Sequence, residues 1–117
     1  MKYIKKKLTI DRIKLEDIAK KFDTPTYCYS YTQLKKNISN FKKNFKTFSP
    51  LICFAIKSNT NLNLIREIQK FGLGADVVSM GELMMALKAG IDPKKIVFSG
   101  VGKRRKKLVM LLIKKYY

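Results

Sequence analysis

The chain has 117 residues, 46% of them hydrophobic and 29% charged, with a formal net charge of +18. That length suits one small domain, the apolar content argues against wholesale disorder, and no apolar run reaches the roughly 18 residues that a membrane span requires. The basic start Met1-Lys2-Tyr3-Ile4-Lys5-Lys6-Lys7 is followed by neither a long apolar segment nor a small-residue cleavage site, so the expected compartment is the cytoplasm.

In chain order, Leu15, Ile18, Ala19 and Phe22 have the spacing of a short amphipathic helix. Asp23-Thr24-Pro25 ends it, because the residue before a proline avoids the helical region. Thr26-Tyr27-Cys28-Tyr29 is β-branched and aromatic and predicts a short strand. Ser30 or Thr32 can cap the next helix, which carries Leu34, Ile38, Phe41 and Phe45 on one face. Its lysines, Lys35, Lys36, Lys42 and Lys43 with Lys46 beyond, fall at surface spacing.

Pro50 closes that segment, and Leu51 to Ile56 follow as six apolar residues in a row. Such a run fits a strand buried on both faces, as in a parallel sheet. Asn61 can cap a helix through Leu62, Leu64, Ile65, Ile68 and Phe71, with Gly72 as its stop. Ala75 to Val78 predicts a second buried strand, Gly81 to Ala89 a helix ended by Gly90, and Ile96-Val97-Phe98 a third strand. Strands alternating with single helices predict repeated βα units on a parallel sheet, three in number. A doubly wound sheet and a (β/α)8 barrel begin alike on this pattern.

Cys28 and Cys53 lie in separate strand-like stretches, with no CxxC pair and no histidine in the chain. They read as small buried hydrophobes. A metal site has almost no ligands to draw on, and a cysteine-histidine nucleophile is excluded. Of the 26 Lys and Arg, 19 fall in residues 1–102 with all 8 acids, while residues 103–117 hold seven and no acid. The tail is thus compositionally foreign to the body. A charge of this size suits a nucleic-acid or membrane-surface binder, but no recognition motif accompanies it, and a nucleic-acid partner is not expected.

Chemistry in parallel α/β folds gathers at the carboxyl ends of the strands. Lys57 directly follows the most apolar run, where partial desolvation would favour the free amine that captures an aldehyde cofactor. Snorkelling outward into solvent is the commoner fate of a strand-end lysine. Asp76, among Gly74, Ala75, Val77 and Val78, needs a partner or a polar cavity. It could steer a cationic group near Lys57 or simply bond to a loop. Ser79 followed three residues later by Glu82 is a capping-box pattern. Ser99-Gly100-Val101-Gly102 resembles a phosphate-cradling turn loosely, and such a loop is more often only a turn.

Taken together, these segments resemble a known family. Phe54-Ala55-Ile56-Lys57-Ser58-Asn59 is similar to the Ala-Val-Lys-Ala-Asn signature of the pyridoxal-phosphate-dependent ornithine/diaminopimelate/arginine decarboxylases, which have an alanine-racemase-like barrel. Thr24-Pro25-Thr26-Tyr27-Cys28-Tyr29-Ser30 precedes it, as that family's Thr-Pro-x-Tyr-Val-Tyr does. Gly74 to Leu83, Ala86 to Gly90 and Ile96 to Lys103 follow in the family's order, and their wording is nearest the diaminopimelate branch.

The resemblance implies an α/β fold made of the first three βα units of an incomplete (β/α)8 TIM barrel. It implies pyridoxal 5'-phosphate as cofactor, with Lys57 forming the Schiff base, Asp76 at the cofactor, and Asn59 and Glu82 in support. The implied reaction takes meso-diaminopimelate to L-lysine and CO2, and intact members are homodimers. The implied organisation is residues 1–30 as a helix and strand leading into the barrel, 31–103 as the partial cofactor-binding domain, and 104–117 as an aberrant basic tail. Arg104-Arg105-Lys106-Lys107 opposes the dipole of a helix start, and a shift of reading frame is the expected origin of that tail. With three of eight strands and no histidine to stack on the cofactor, this chain alone is expected to be inactive. The alternatives are a non-catalytic remnant, a basic nucleic-acid-binding protein, or one piece of a split enzyme.

Overall fold

The computed structural model describes residues 1–45 and 47–101, and the chain divides into two units, residues 1–48 and 49–117. Residues 102–117, which include the basic tail, lie outside the described residues.

The first unit opens with a feature that the sequence reading did not anticipate. Strands β1 (Lys2–Ile4), β2 (Lys7–Ile10) and β3 (Ile13–Lys14) form an antiparallel meander. Ile4 pairs with Lys7 and Ile10 with Ile13, which leaves the two-residue loops Lys5-Lys6 and Asp11-Arg12. All four loop residues have positive φ, between 46° and 70°. Two central residues at positive φ make the turn whose twist matches that of the flanking strands. Helix α1 (Leu15–Phe22) packs against β2 and β3. Glu16 and Asp17 lie in its first turn and Lys20 and Lys21 in its last, each complementing the helix dipole. The Lys7 ammonium bonds both oxygens of Glu16, at 2.8 and 2.9 Å, and so ties β2 to α1.

The strand expected at Thr26-Tyr27-Cys28-Tyr29 is absent. This segment follows a cis Thr24–Pro25 peptide and pairs with no strand among the described residues. Tyr27 is 90% exposed, and Cys28 is exposed rather than buried. Strand propensity supplies half of a ladder, and no backbone among the described residues supplies the other half. Helix α2 (Tyr31–Asn44) then follows, capped by Ser30, whose hydroxyl accepts from the Gln33 N–H at 3.0 Å. Ile38 is buried on its apolar stripe, and the Phe41 and Phe45 rings meet there with centroids 5.0 Å apart.

The second unit, among its described residues, alternates strand and helix as expected. Strands β4 (Cys53–Ala55), β5 (Gly74–Val77) and β6 (Ile96–Phe98) form a parallel sheet in sequential order. Helices α3 (Leu62–Lys70) and α4 (Met80–Lys88) make the two crossovers. One sheet face, carrying Phe54, Ala75, Val77, Ile96 and Phe98, packs with Ile56 onto Ile65 of α3 and onto Leu83 and Ala86 of α4. Ile56, Ile65, Ala75, Val77, Leu83 and Ala86 are fully buried there.

Both helices end on a glycine at positive φ, Gly72 at 76° and Gly90 at 91°. After α4 the Gly90 N–H donates to the Leu87 carbonyl and the Ile91 N–H to the Ala86 carbonyl, which satisfies two orphan carbonyls and buries Ile91.

The run Leu51–Ile56 departs from expectation. Only Cys53–Ala55 is strand, all three are half-buried, and Leu51 is exposed. The helices cover one face of the sheet, so a strand expected to be buried on both sides is buried on one.

Candidate active site

Register decides which side chains share the uncovered face. Ala55, Asp76 and Val97 lie side by side across the three strands, and Cys53 pairs with Gly74 two residues earlier. Side chains alternate along a strand. The residues between these, Phe54, Ala75 and Ile96, belong to the helix-packed core, so Asp76 rises from the opposite face. It does so near the carboxyl end of β5.

Lys57 lies just past the carboxyl end of β4. After Ala55 the backbone leaves the strand for a 3₁₀ turn, Ile56–Ser58, in which Ile56 is fully buried and Lys57 is exposed. The turn is held locally. The Ser58 hydroxyl donates to the Ala55 carbonyl at 2.7 Å, and the Asn59 N–H donates to the Ile56 carbonyl. The Asn59 side chain accepts from the Asn61 N–H at 2.9 Å, and Asn61 in turn caps α3 by accepting from Asn63 and Leu64. The signature around Lys57 therefore shapes the exit from β4 and the entry to α3. The desolvation expected for Lys57 is not supplied by the described residues, because the turn carries it beyond the apolar run.

Asp76 has a partner. Its Oδ1 accepts the Ser99 hydroxyl at 2.5 Å. Ser99 follows β6 directly, and its N–H donates to the Val77 carbonyl at 3.0 Å, extending the ladder by one step. In the sequence Ser99 stands out only within the 99–102 segment, a candidate that resembles a phosphate-cradling turn loosely, and not as a partner of Asp76. The signal available was its place, two residues beyond Val97, which puts it on the face shared with Asp76.

Glu82 departs from the usual capping box. The Glu82 N–H donates to the Ser79 hydroxyl at 3.2 Å, as that pattern requires. Its carboxylate reaches past Ser79 to accept the Val78 N–H at 2.8 Å. It thereby fixes the peptide that leaves β5 immediately after Asp76 and Val77.

Burial, and behind it the negative charge of Asp76, push the Cys53 thiol up from its ordinary value. Among the described residues no cluster of histidine, cysteine, aspartate or glutamate could hold a metal ion, and no helix is long and apolar enough to cross a membrane. Lys57, Asp76 and Ser99 thus stand at the carboxyl ends of three adjacent parallel strands, with Asn59 in the turn that carries Lys57 and Glu82 holding the peptide that follows β5. A lysine exposed on the exit from one strand and an oriented carboxylate on the next strand fit an aldehyde cofactor bearing a cationic ring or a cationic substrate.

A parallel α/β sheet with a lysine and an aspartate at its carboxyl end fits the broad class of enzymes that capture a carbonyl on an amine. Comparison with known proteins narrows it. The family model described as the pyridoxal-dependent decarboxylase, pyridoxal binding domain, matches residues 31–116, a span that runs across most of the basic tail. Diaminopimelate decarboxylase of Helicobacter pylori strain J99 is 48% identical over 88 residues, covering 75% of this chain and 22% of that protein. The Aquifex aeolicus diaminopimelate decarboxylase is 42% identical over 108 residues, 92% of this chain and 25% of that one.

Among solved structures, a protein from Aquifex aeolicus superposes with a TM-score of 0.88 at 39% identity, over 97% of this chain and 28% of its own. Diaminopimelate decarboxylase from M. jannaschii gives 0.87 at 35% identity, over 93% and 26%. The H. pylori enzyme complexed with L-lysine gives 0.78 at 41% identity, over 85% and 25%. The chain belongs to the pyridoxal-dependent decarboxylase family, and the described residues of its parallel unit supply three strands and two crossover helices from the start of that family's (β/α)8 barrel. It spans about a quarter of the length of the relatives it matches.

Proposed function

We propose that this section of chain serves the decarboxylation of meso-diaminopimelate to L-lysine and CO2, with Lys57 as the residue that holds pyridoxal 5'-phosphate through its Nζ. The observation that carries the reading is the shared carboxyl-end placement of Lys57, on the exit from β4, and Asp76, on β5. The substrate rests on the relatives, which are diaminopimelate decarboxylases at 40–48% identity, and on the L-lysine complex of the H. pylori enzyme.

Pyridoxal phosphate, when bound, supplies an electron sink for the bond that loses CO2. The chain's own residues do the rest of the local work. Lys57 is exposed on its turn, so its Nζ can be reached without rearrangement of that turn. Asp76 presents negative charge on the same rim, where it orients a cationic group. Asn59 holds the turn that carries Lys57, and Glu82 holds the peptide after Asp76. Homodimeric assembly and a cytoplasmic setting belong to the same proposal.

The test is to incubate the chain with pyridoxal phosphate, reduce with borohydride, and map the modified lysines by mass spectrometry. Modification concentrated at Lys57 and lost in Lys57→Ala is expected. An even spread over the many surface lysines, unchanged by that substitution, would exclude the lysine assignment. In a full-length decarboxylase that carries this section of chain, faster release of CO2 from ornithine or arginine than from meso-diaminopimelate would exclude the substrate.

A further inference from the structure

The contact between Ser99 and Asp76 is held in place from three directions. Ser99 is tied to β5 through its N–H to the Val77 carbonyl, so its Cα cannot drift along the sheet. The next residue, Gly100, is buried and lies so close to β5 that a Cβ built on it would stand 2.2 Å from the Val78 oxygen and 2.9 Å from the Val78 Cα. Only a residue without a side chain permits that approach. From the other side, the Glu82 carboxylate takes the Val78 N–H. The peptide at Val78 is thus clamped between α4 and the loop after β6, with Asp76 two residues upstream and Ser99 across from it. A hydroxyl so mounted meets the carboxylate in one place.

We infer that Ser99 is a positioning residue for Asp76. By donating to Oδ1 it fixes the carboxylate plane at the carboxyl end of the sheet and leaves Oδ2 to face a cationic group of cofactor or substrate. The inference rests on the function proposed above and adds a third strand to its site. A bare carboxylate at a strand end rotates and turns toward water. One oxygen held by a neutral donor keeps the full negative charge and gives it direction. The alternative is that the hydroxyl only fastens β6 to β5.

Cys53 can tell the two apart. It lies on the same sheet face as Asp76, paired with Gly74, and its Sγ contacts the Lys95 carbonyl at 3.8 Å. Its thiol feels the Asp76 charge behind the larger effect of burial. The pH at which Cys53 becomes reactive therefore reports where the Asp76 carboxylate stands.

The experiment uses the full chain carrying Cys28→Ser, which leaves Cys53 as its thiol. It follows alkylation by iodoacetamide against pH, pyridoxal phosphate binding by absorbance, and the melting temperature. Asp76→Asn is expected to move the Cys53 profile to lower pH by removing a negative charge. Ser99→Ala is expected to move it in the same direction, because the freed carboxylate turns to solvent. It is also expected to weaken pyridoxal phosphate binding several-fold, and Ser99→Thr to restore both. The inference is overturned if Ser99→Ala leaves the Cys53 profile unchanged, if it lowers only the melting temperature, or if cofactor affinity is unaltered while the profile moves. Should the parent chain bind no pyridoxal phosphate, the proposed function fails, and the Cys53 profile of Ser99→Ala still decides whether the serine positions the aspartate.

Discussion

Two surface carboxylates in the first unit carry structural tasks that make it sensitive to acid. Asp11 accepts the Ser30 hydroxyl at 2.6 Å and the Thr32 N–H at 3.1 Å, bridging the second hairpin turn to the start of α2. These hydrogen bonds, Ser30 first, hold its carboxyl below the ordinary aspartate value. The Lys7 ammonium, by hydrogen bond and then by charge, does the same for Glu16. A depressed folded value means that the stabilisation is present above the unfolded values, about 3.9 and 4.3, and is lost as pH falls through the lower folded ones. Asp11→Asn should therefore be less stable than the parent near neutral pH, and the two should converge as pH falls through the lowered value of the folded carboxyl. Urea denaturation at several pH values checks this, and a constant difference across the range would contradict it.

Gly74 makes a sharper demand at this scale. A Cβ there would lie 2.1 Å from the Lys95 carbonyl oxygen and 3.0 Å from the Cys53 sulfur. The near atom is backbone, so β5 and β6 would have to part. Gly74→Ala should cost about 1–3 kcal/mol, as overpacking does, and a urea midpoint equal to the parent's would show that the sheet can absorb the methyl group.

At the level of elements, boundaries follow from caps more than from periodicity. Ser30, Asn61 and Ser79 each accept N–H groups at a helix start, and Gly72 and Gly90 each take the positive φ that ends one. All five positions were legible, because a cap is a local interaction between residues two or three apart. Asn61→Ala should destabilise the second unit by about 1 kcal/mol. Because Asn61 also donates its N–H to Asn59, hydrogen exchange at the Lys57 turn should rise with it. Loss of stability without faster exchange there would separate the cap from the turn. The hairpins of the meander escaped the sequence reading for the opposite reason. Lys5-Lys6 and Asp11-Arg12 lack the Asn-Gly or Asp-Gly wording that marks such turns, and their positive φ is imposed by strand pairing. The Tyr27 segment failed in the other direction, since its residue types suit a strand whose partner the described residues do not provide.

For the molecule as a whole, the core of the parallel unit is one-sided. Ile65 and Leu83 are fully buried and pack on Ile56, Ala75 and Val77, while the Cys53, Ala55 and Asp76 face stays partly open. Removing a side chain from the covered side should be costly. Ile65→Ala is expected to lose about 2–5 kcal/mol. Its core neighbour Ile56 precedes Lys57, so labelling at Lys57 should lose selectivity in the same variant. A chemical denaturation midpoint near the parent's would mean that the core relaxes to fill the gap.

What the sequence determined by itself was local and periodic. The alternation of strand and helix, the helix caps, the order of the signature segments and the candidates Lys57 and Asp76 all come from neighbours along the chain, whose geometry is set by a few bonds. What only the tertiary structure decided was which separated groups meet. That Lys57 is exposed, that Glu82 grips Val78, and that Ser99 reaches Asp76 across 23 residues depend on strand register and on the close approach of Gly100 to β5. Register is fixed by the burial of one whole sheet face against α3 and α4, an effect summed over many residues that no single motif carries.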